Sequence, residues 1–321
     1  MRRIEKMSYA MVFPGQGSQE VGMGLALTES FETARNVFRQ ADEALGFHLG
    51  KLILEGPEEE LKKTAFAQPA ILTVSIAVFS VIRGELGFEP EPAYVAGHSL
   101  GEYSALVAGG ALSLADGVRL VHLRGRLMQE AVPLGKGTMA ALIGIGRDSV
   151  KEICEEVSPI GDCEAANFNA PGQIVISGET EAVEKAMKLA KDRGAKRAVP
   201  LKVSAPFHCR LMEPVAEKLK AAFDECQWRE PKWPIVTNVF ARPQISVDDI
   251  KQSLYLQTHS PVLWQDTVEY LHSAGVDTFA EIGPGTVLSG LIRRTVKGVS
   301  ALTVGTPEEA EALVRILRQE G

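Results

Sequence analysis

The sequence predicts an α/β fold with a mainly parallel sheet, interrupted by an inserted βαββαβ unit. Three observations lead there. Short apolar runs alternate with longer amphipathic ones along most of the 321 residues, the pattern of strands joined by crossover helices. From residue 138 the rhythm changes to strand, helix, strand, strand, helix, strand, the order of a split βαβ or ferredoxin-like unit. After residue 202 the first rhythm resumes, which makes the middle segment an insertion. A single core stops growing at about 250 to 300 residues, so a chain of this length suits one large domain with an appendage.

Taken in order, residues 9–13 form a short unbroken apolar run and read as a buried strand. Residues 68–86 read as a helix whose apolar character suggests burial, and 93–96 as a second short strand. A helix over 113–129 opens on the capping box Ser113-Leu114-Ala115-Asp116. In the insertion, strands are predicted over 139–145, 163–169, 173–177 and 195–201, with helices over 149–157 and 180–193. The turn Asn169-Ala170-Pro171-Gly172 separates the middle strands. The main domain then continues with a helix over 211–223, a strand over 234–238, helices over 247–256 and 262–274, a strand over 278–282 and a closing helix. The expected division is therefore 1–135 with 203–321 for the large domain and 136–202 for the insert.

Composition narrows the class. With 45% hydrophobic and 23% charged residues the chain resembles an ordinary soluble protein, and no stretch is expected to supply the roughly 20 apolar residues of a membrane span. The basic start, Met1 to Lys6, lacks the apolar run of a signal peptide. A cytoplasmic location is expected, with Met7 as an alternative start. Cys154, Cys163, Cys209 and Cys226 include no Cys-x-x-Cys pair and are expected to be reduced and metal-free. A net charge of -7 argues against a nucleic-acid binder.

Gly97-His98-Ser99-Leu100-Gly101 is the first candidate for chemistry. A Gly-x-Ser-x-Gly string alone should occur by chance in about one such chain in ten. Its context is stronger: a short apolar run leads in and a helical run leads out, the strand-turn-helix setting of a nucleophile elbow. Glycines there allow the close backbone approach of a strained turn. Ser99 then lies at a helix N-terminus, where Leu100 N–H is a candidate oxyanion donor. A turn that merely joins strand to helix is the competing reading. Pro14-Gly15-Gln16-Gly17-Ser18-Gln19 follows the first strand, at the edge where α/β proteins place ligands. It lacks the third glycine of a dinucleotide fingerprint and the Gly-Lys-Ser/Thr ending of a phosphate loop. An oxyanion loop fits better, with Gln16 as the second donor.

A serine needs a base, and six histidines compete. His98 is on the wrong side of a tight turn; His122 and His272 fall in predicted helices; His48 and His259 have unremarkable surroundings. His208 follows Ser204-Ala205-Pro206-Phe207, where the chain leaves the insertion in a loop broken by proline. On helix 113–129, Leu114, Val118, Val121, Gly125 and Met128 form the apolar stripe, Arg119 and Arg126 face away, and Arg124 falls on the border. A guanidinium there calls for a carboxylate, supplied either by a local Asp or Glu or by a substrate.

These residues resemble a known family. Phe13-Pro14-Gly15-Gln16-Gly17-Ser18-Gln19, Gly97-His98-Ser99-Leu100-Gly101-Glu102, His122-Leu123-Arg124-Gly125, Asn169-Ala170-Pro171-Gly172-Gln173, Phe207-His208, and Gln257 followed by Pro261-Val262-Leu263-Trp264 are similar to the motifs of malonyl-CoA:acyl carrier protein transacylases and the acyltransferase domains of fatty-acid and polyketide synthases. They occur in order over nearly the whole chain. The resemblance implies a hydrolase-like large domain with a ferredoxin-like insert. It also implies that malonyl-CoA acylates Ser99, with His208 as general acid/base, Arg124 on the malonyl carboxylate, and Gln16 and Leu100 as oxyanion amides. Gln257 would orient His208 through its backbone carbonyl. No cofactor is implied beyond the two substrates, malonyl-CoA and carrier-bound phosphopantetheine, and a monomer is expected. Leu263 stands where relatives often carry a polar residue, and bulky Phe207 is consistent with a pocket for unbranched units. An esterase using the same serine, and a non-catalytic docking module, are the rival readings. The cluster Lys188, Lys191, Arg193, Lys196 and Arg197 is either a solvated helix face or a landing site for an acidic carrier.

Overall fold

The structure, a computed structural model, describes residues 8–133, 135–203 and 205–318. The basic start, Met7 and Ser204 lie outside the described residues. Ten strands are present among them: β1 Tyr9–Phe13, β2 Tyr94–Gly97, β3 Gly137–Ile143, β4 Cys163–Ala170, β5 Gln173–Glu179, β6 Arg197–Pro200, β7 Ile235–Val236, β8 Pro243–Gln244, β9 Thr278–Ile282 and β10 Ser300–Val304. They form a six-stranded sheet in the order β10-β9-β1-β2-β7-β8 and a four-stranded sheet in the order β4-β5-β3-β6. The large sheet is parallel except where β8 runs back along β7. The small sheet is antiparallel throughout, with the first and third strands of the βαββαβ run at its centre. This is the α/β, hydrolase-like architecture with a ferredoxin-like insert.

β1 shows how the large domain is built. All five residues are buried, yet side chains alternate across a strand. Tyr9, Met11 and Phe13 enter one core and Ala10 and Val12 the other, so helices cover both faces of the sheet, as parallel sheets require. The helix Thr64–Gly84 fills the first core. Here the expectation of no membrane-length stretch is corrected: this helix is long and apolar enough by length and composition, and 89% of its most apolar window is buried inside the protein. It also starts four residues earlier than expected, so that Pro69 lies in its second turn rather than its first. Proline at that position cannot donate to the carbonyl four residues back. Ala65 O accepts instead from His122 Nδ1 at 2.8 Å, on the helix Leu114–Glu130. A few residues along that helix, a Cβ on Gly125 would stand 2.4 Å from Thr64 O. The two helices therefore touch backbone to side chain beside Arg124.

Where sequence and structure differ, short elements are involved. Four helices, Leu25–Ser30, Glu32–Leu45, Leu49–Glu55 and Glu58–Leu61, precede the long one and were not predicted. The single closing helix is instead Val287–Thr295, β10 and Pro307–Arg318. The predicted strand over 234–238 is only Ile235–Val236, because Thr237 and Asn238 turn away from the sheet. All four cysteines are free, Cys154 and Cys163 approaching to 3.9 Å between sulfurs.

Candidate active site

The elbow sits where β2 ends. Ser99 adopts φ 51° and ψ -105° ahead of the helix Leu100–Ala108, a conformation that side chains rarely take. Its neighbours explain both glycines. A Cβ on Gly97 would lie 2.0 Å from the Gly101 carbonyl, and one on Gly101 would lie 2.0 Å from Phe13 O in β1. Only bare backbone lets strand, turn and helix close so tightly. Asn238 clamps the turn from the β7 side, its Oδ1 accepting from Ser99 N–H at 2.7 Å while its Nδ2 donates to Gly97 O at 2.6 Å. His98 faces away from the serine hydroxyl, with its Nε2 2.8 Å from Asn169 Oδ1 on the insert and its ring against Trp264.

His208 faces the elbow with Nε2 2.7 Å from Ser99 Oγ. It is 4% exposed and has φ 58°. The carbonyl of Gln257, on the helix Val247–His259, lies 2.7 Å from Nδ1. A carbonyl only accepts, so Nδ1 carries the proton and Nε2 presents a lone pair to the serine. Burial, reinforced by the nearby Arg124 charge, lowers the His208 pKa to about 3, which keeps it neutral, with the Nε2 lone pair free, at neutral pH.

Arg124 is 1% exposed, a correction to its expected place on the stripe border. It donates from Nη1 to Gln68 Oε1 at 2.8 Å, and from Nη2 to Gln257 Oε1 at 2.9 Å and Ser99 Oγ at 3.1 Å. Its Nε is buried without a hydrogen-bond partner among the described residues, and its guanidinium stands 5.5 Å from the Tyr103 ring centre. None of these partners is a carboxylate. The local ion pair considered from sequence is not formed among the described residues. Glu102, whose charge bears on Arg124, is fully buried and bonds elsewhere, and burial raises its pKa to about 7.

Leu100 is the first residue of its helix, where no helical carbonyl is available to its N–H. Gly15 packs directly on the elbow, since a Cβ there would meet His98 O at 2.5 Å. The next residue, Gln16, is exposed and its side chain reaches Thr64 Oγ1 at 3.3 Å. All six residues singled out from sequence thus come from one neighbourhood. Sequence reasoning missed Gln68 and Asn238, because a buried amide leaves no periodic trace. It quoted Glu102 only as part of a motif.

The fold and this cluster define an acyl-transfer enzyme of the α/β class. The chain belongs to the acyl transferase domain family, which matches residues 10–319. It is 48% identical over 312 residues to the malonyl CoA-acyl carrier protein transacylase of Bacillus subtilis (strain 168), covering 97% of this chain and 98% of that one. To the protein of the same name from Escherichia coli (strain K12) it is 45% identical over 308 residues, covering 96% and 99%. Among solved structures it is similar to the acyl-carrier-protein-S-malonyltransferase of Bartonella henselae, with TM-score 0.95, 50% identity and coverage of 97% and 100%. It is also similar to a malonyl-transacylase solved in complex with a type II PKS acyl-carrier protein, with TM-score 0.93, 45% identity and coverage of 96% and 99%.

Proposed function

We propose that this protein transfers a malonyl group from malonyl-CoA to the phosphopantetheine thiol of an acyl carrier protein, through a malonyl ester on Ser99. The observation that carries the reading is Ser99 Oγ held between His208 Nε2 at 2.7 Å and Arg124 Nη2 at 3.1 Å. A base and a carboxylate anchor then meet on one oxygen. Arg124 receives the free carboxylate of the malonyl group. Ser99 Oγ attacks the thioester carbonyl as His208 Nε2 takes its proton, and the oxyanion rests on the Gln16 and Leu100 amides. Coenzyme A leaves with the proton from His208. The carrier thiol then gives its proton to His208 and attacks the serine ester; the acyl–Oγ bond breaks, Ser99 Oγ takes the proton back from His208, and the malonyl thioester departs.

The steps draw on side chains and backbone of one chain, so neither a cofactor nor a second copy is called on. The names of the relatives, and the carrier complex of one of them, support both substrates. The division at 1–135 with 203–321 and 136–202 separates the parts that supply the chemistry from the part that packs over it. A cytoplasmic location completes the reading. On the basic cluster, Arg193 is already bonded to Glu152 and Glu156, which favours a solvated helix face over a landing site. Incubation with malonyl-CoA followed by intact-mass measurement tests the proposal: a gain of one malonyl group is expected, absent in Ser99→Ala. A gain that persists in the variant, or none in the natural chain, overturns it.

A further inference from the structure

Outside the acyl-transfer steps one buried carboxyl joins the groups that perform them. Glu102 is 0% exposed, three residues beyond the nucleophile on the same helix. Its Oε2 accepts two hydrogen bonds, from Asn238 backbone N–H and from Gln257 Nε2, both at 3.0 Å. Its Oε1 is buried with no partner among the described residues. The two donors belong to different clamps. Asn238 grips the elbow at Gly97 O and Ser99 N–H. Gln257 supplies the carbonyl that orients His208, and its side chain bridges Arg124 and Ser99 O.

An amide side chain has two ends of similar size, and its partners decide which faces which. Arg124 can only donate, so it selects Gln257 Oε1; the Glu102 carboxyl oxygen accepts and selects Nε2. Ser99 O also accepts from Nε2 at 2.9 Å, so the two acceptors together hold the amide in place. One carboxyl oxygen thereby fixes the nucleophile's turn from one side and the holder of base and anchor from the other.

We infer that Glu102 is a positioning residue, whose Oε2 sets Asn238 and Gln257 and through them aligns Ser99, His208 and Arg124. This rests on the acyl-transfer reading above for its kinetic consequences. Misplacement by about 1 Å at such a site can cost on the order of 100-fold in rate.

The test compares Glu102→Met, which keeps length and loses the acceptor, with Glu102→Gln, which keeps an acceptor oxygen. Two rates are read on full-length protein whose fold is verified by circular dichroism: malonyl loading of Ser99, and sulfonylation of Ser99 by phenylmethanesulfonyl fluoride, which releases HF. For Glu102→Met, kcat for loading should fall about 10- to 100-fold with KM moving less than about threefold, and sulfonylation should slow in step. Glu102→Gln should recover both rates to within about threefold of the natural chain. Should Glu102→Met not accumulate folded, Glu102→Asp, with the carboxyl drawn back by one methylene, carries the same expectation. A folded Glu102→Met or Glu102→Asp that reacts at the natural rate overturns the inference, as does Glu102→Gln impaired as badly as Glu102→Met. If the natural chain accepts no malonyl group, the proposed function fails, and the sulfonylation rates still decide the role of Glu102.

Discussion

A guanidinium has five N–H donors in a rigid fork, and Arg124, buried in the core beside Ser99, finds three acceptors among the described residues, all of them neutral. A charge in that position is costly without an anion. Its partners hold the fork in place, and the site is completed when a carboxylate arrives. A charge-assisted pair contributes about 1.5 to 3 kcal/mol, so Arg124→Ala should slow malonyl loading by about 10- to 150-fold. Loading from acetyl-CoA, which has no free carboxylate, should change far less. The ratio of the two loading rates is the measurement, and equal losses would remove Arg124 from substrate recognition. The identity of this arginine was legible in helical periodicity, its depth was not. At 100° per residue a border position and a buried one differ by the side chain of the facing helix, here Gln68, which no local pattern reveals. Ser99 and His208 were legible for opposite reasons, one from a motif in a strand-turn-helix context and the other from the loop left by Pro206.

At the scale of elements, the elbow is a three-way contact of β1, β2 and the helix Leu100–Ala108, closed by glycines. Overpacking a well-filled site costs about 1 to 3 kcal/mol and sometimes more. A methyl group on Gly101 would meet backbone, which cannot swing aside as a side chain can. Gly101→Ala should therefore lose at least about 3 kcal/mol in urea unfolding, the upper end of that range, with nucleophile reactivity falling alongside. Wild-type stability in the variant would mean the helix can slide off β1 freely. The insert was readable almost to the residue: the helix predicted over 180–193 is Thr180–Asp192, and the strand over 163–169 is Cys163–Ala170. There the period switches cleanly between helix and strand. β10 escaped because Ser300–Val304 is an edge strand, mostly half-buried, and five residues of mixed character show no period. The helices before Thr64 were missed because Gly46 and Gly56 cut them short.

For the whole molecule, the question is how the insert is held over the serine. β4 bonds through backbone to Val262, with Phe168 N–H donating to Val262 O and Val262 N–H to Ala166 O, each at 2.9 Å. Arg147 pairs with both oxygens of Asp266, at 2.9 and 2.6 Å, and lies 4.5 Å over the Phe168 ring. Asp266→Ala should cost no more than about 1 kcal/mol, since the pair is partly exposed. It should nonetheless raise hydrolysis of malonyl-CoA several-fold relative to transfer, measured as free malonate released without carrier. An unchanged ratio would mean that the insert's grip does not shield the ester. Strand order in the large sheet was beyond the sequence, since pairing across such distances leaves no local trace, whereas the order of the small sheet came with the βαββαβ pattern.

Two buried groups set opposing pH slopes for the same molecule. Glu102 titrates near 7 folded against 4.5 unfolded, so its contribution is complete below 4.5 and is lost as pH rises through 7. His208 titrates near 3 folded against 6.5 unfolded, so its contribution is complete above 6.5 and is lost as pH falls toward 3. Glu102→Gln removes only the first. Its unfolding free energy should climb from pH 5 to 6.5 more steeply than that of the natural chain, by up to about 1.4 kcal/mol per pH unit; parallel curves in urea would contradict the burial argument. The helix Thr64–Gly84, as apolar as a bilayer segment, finally bears on how the chain is made. Its main cover, Leu114–Glu130, leaves the ribosome later. A nascent chain long enough to bring Thr64–Gly84 out of the ribosome but not yet Leu114–Glu130 leaves one side of that greasy rod uncovered, a substrate for chaperones or for mistaken delivery to a membrane until the second helix emerges and hides it.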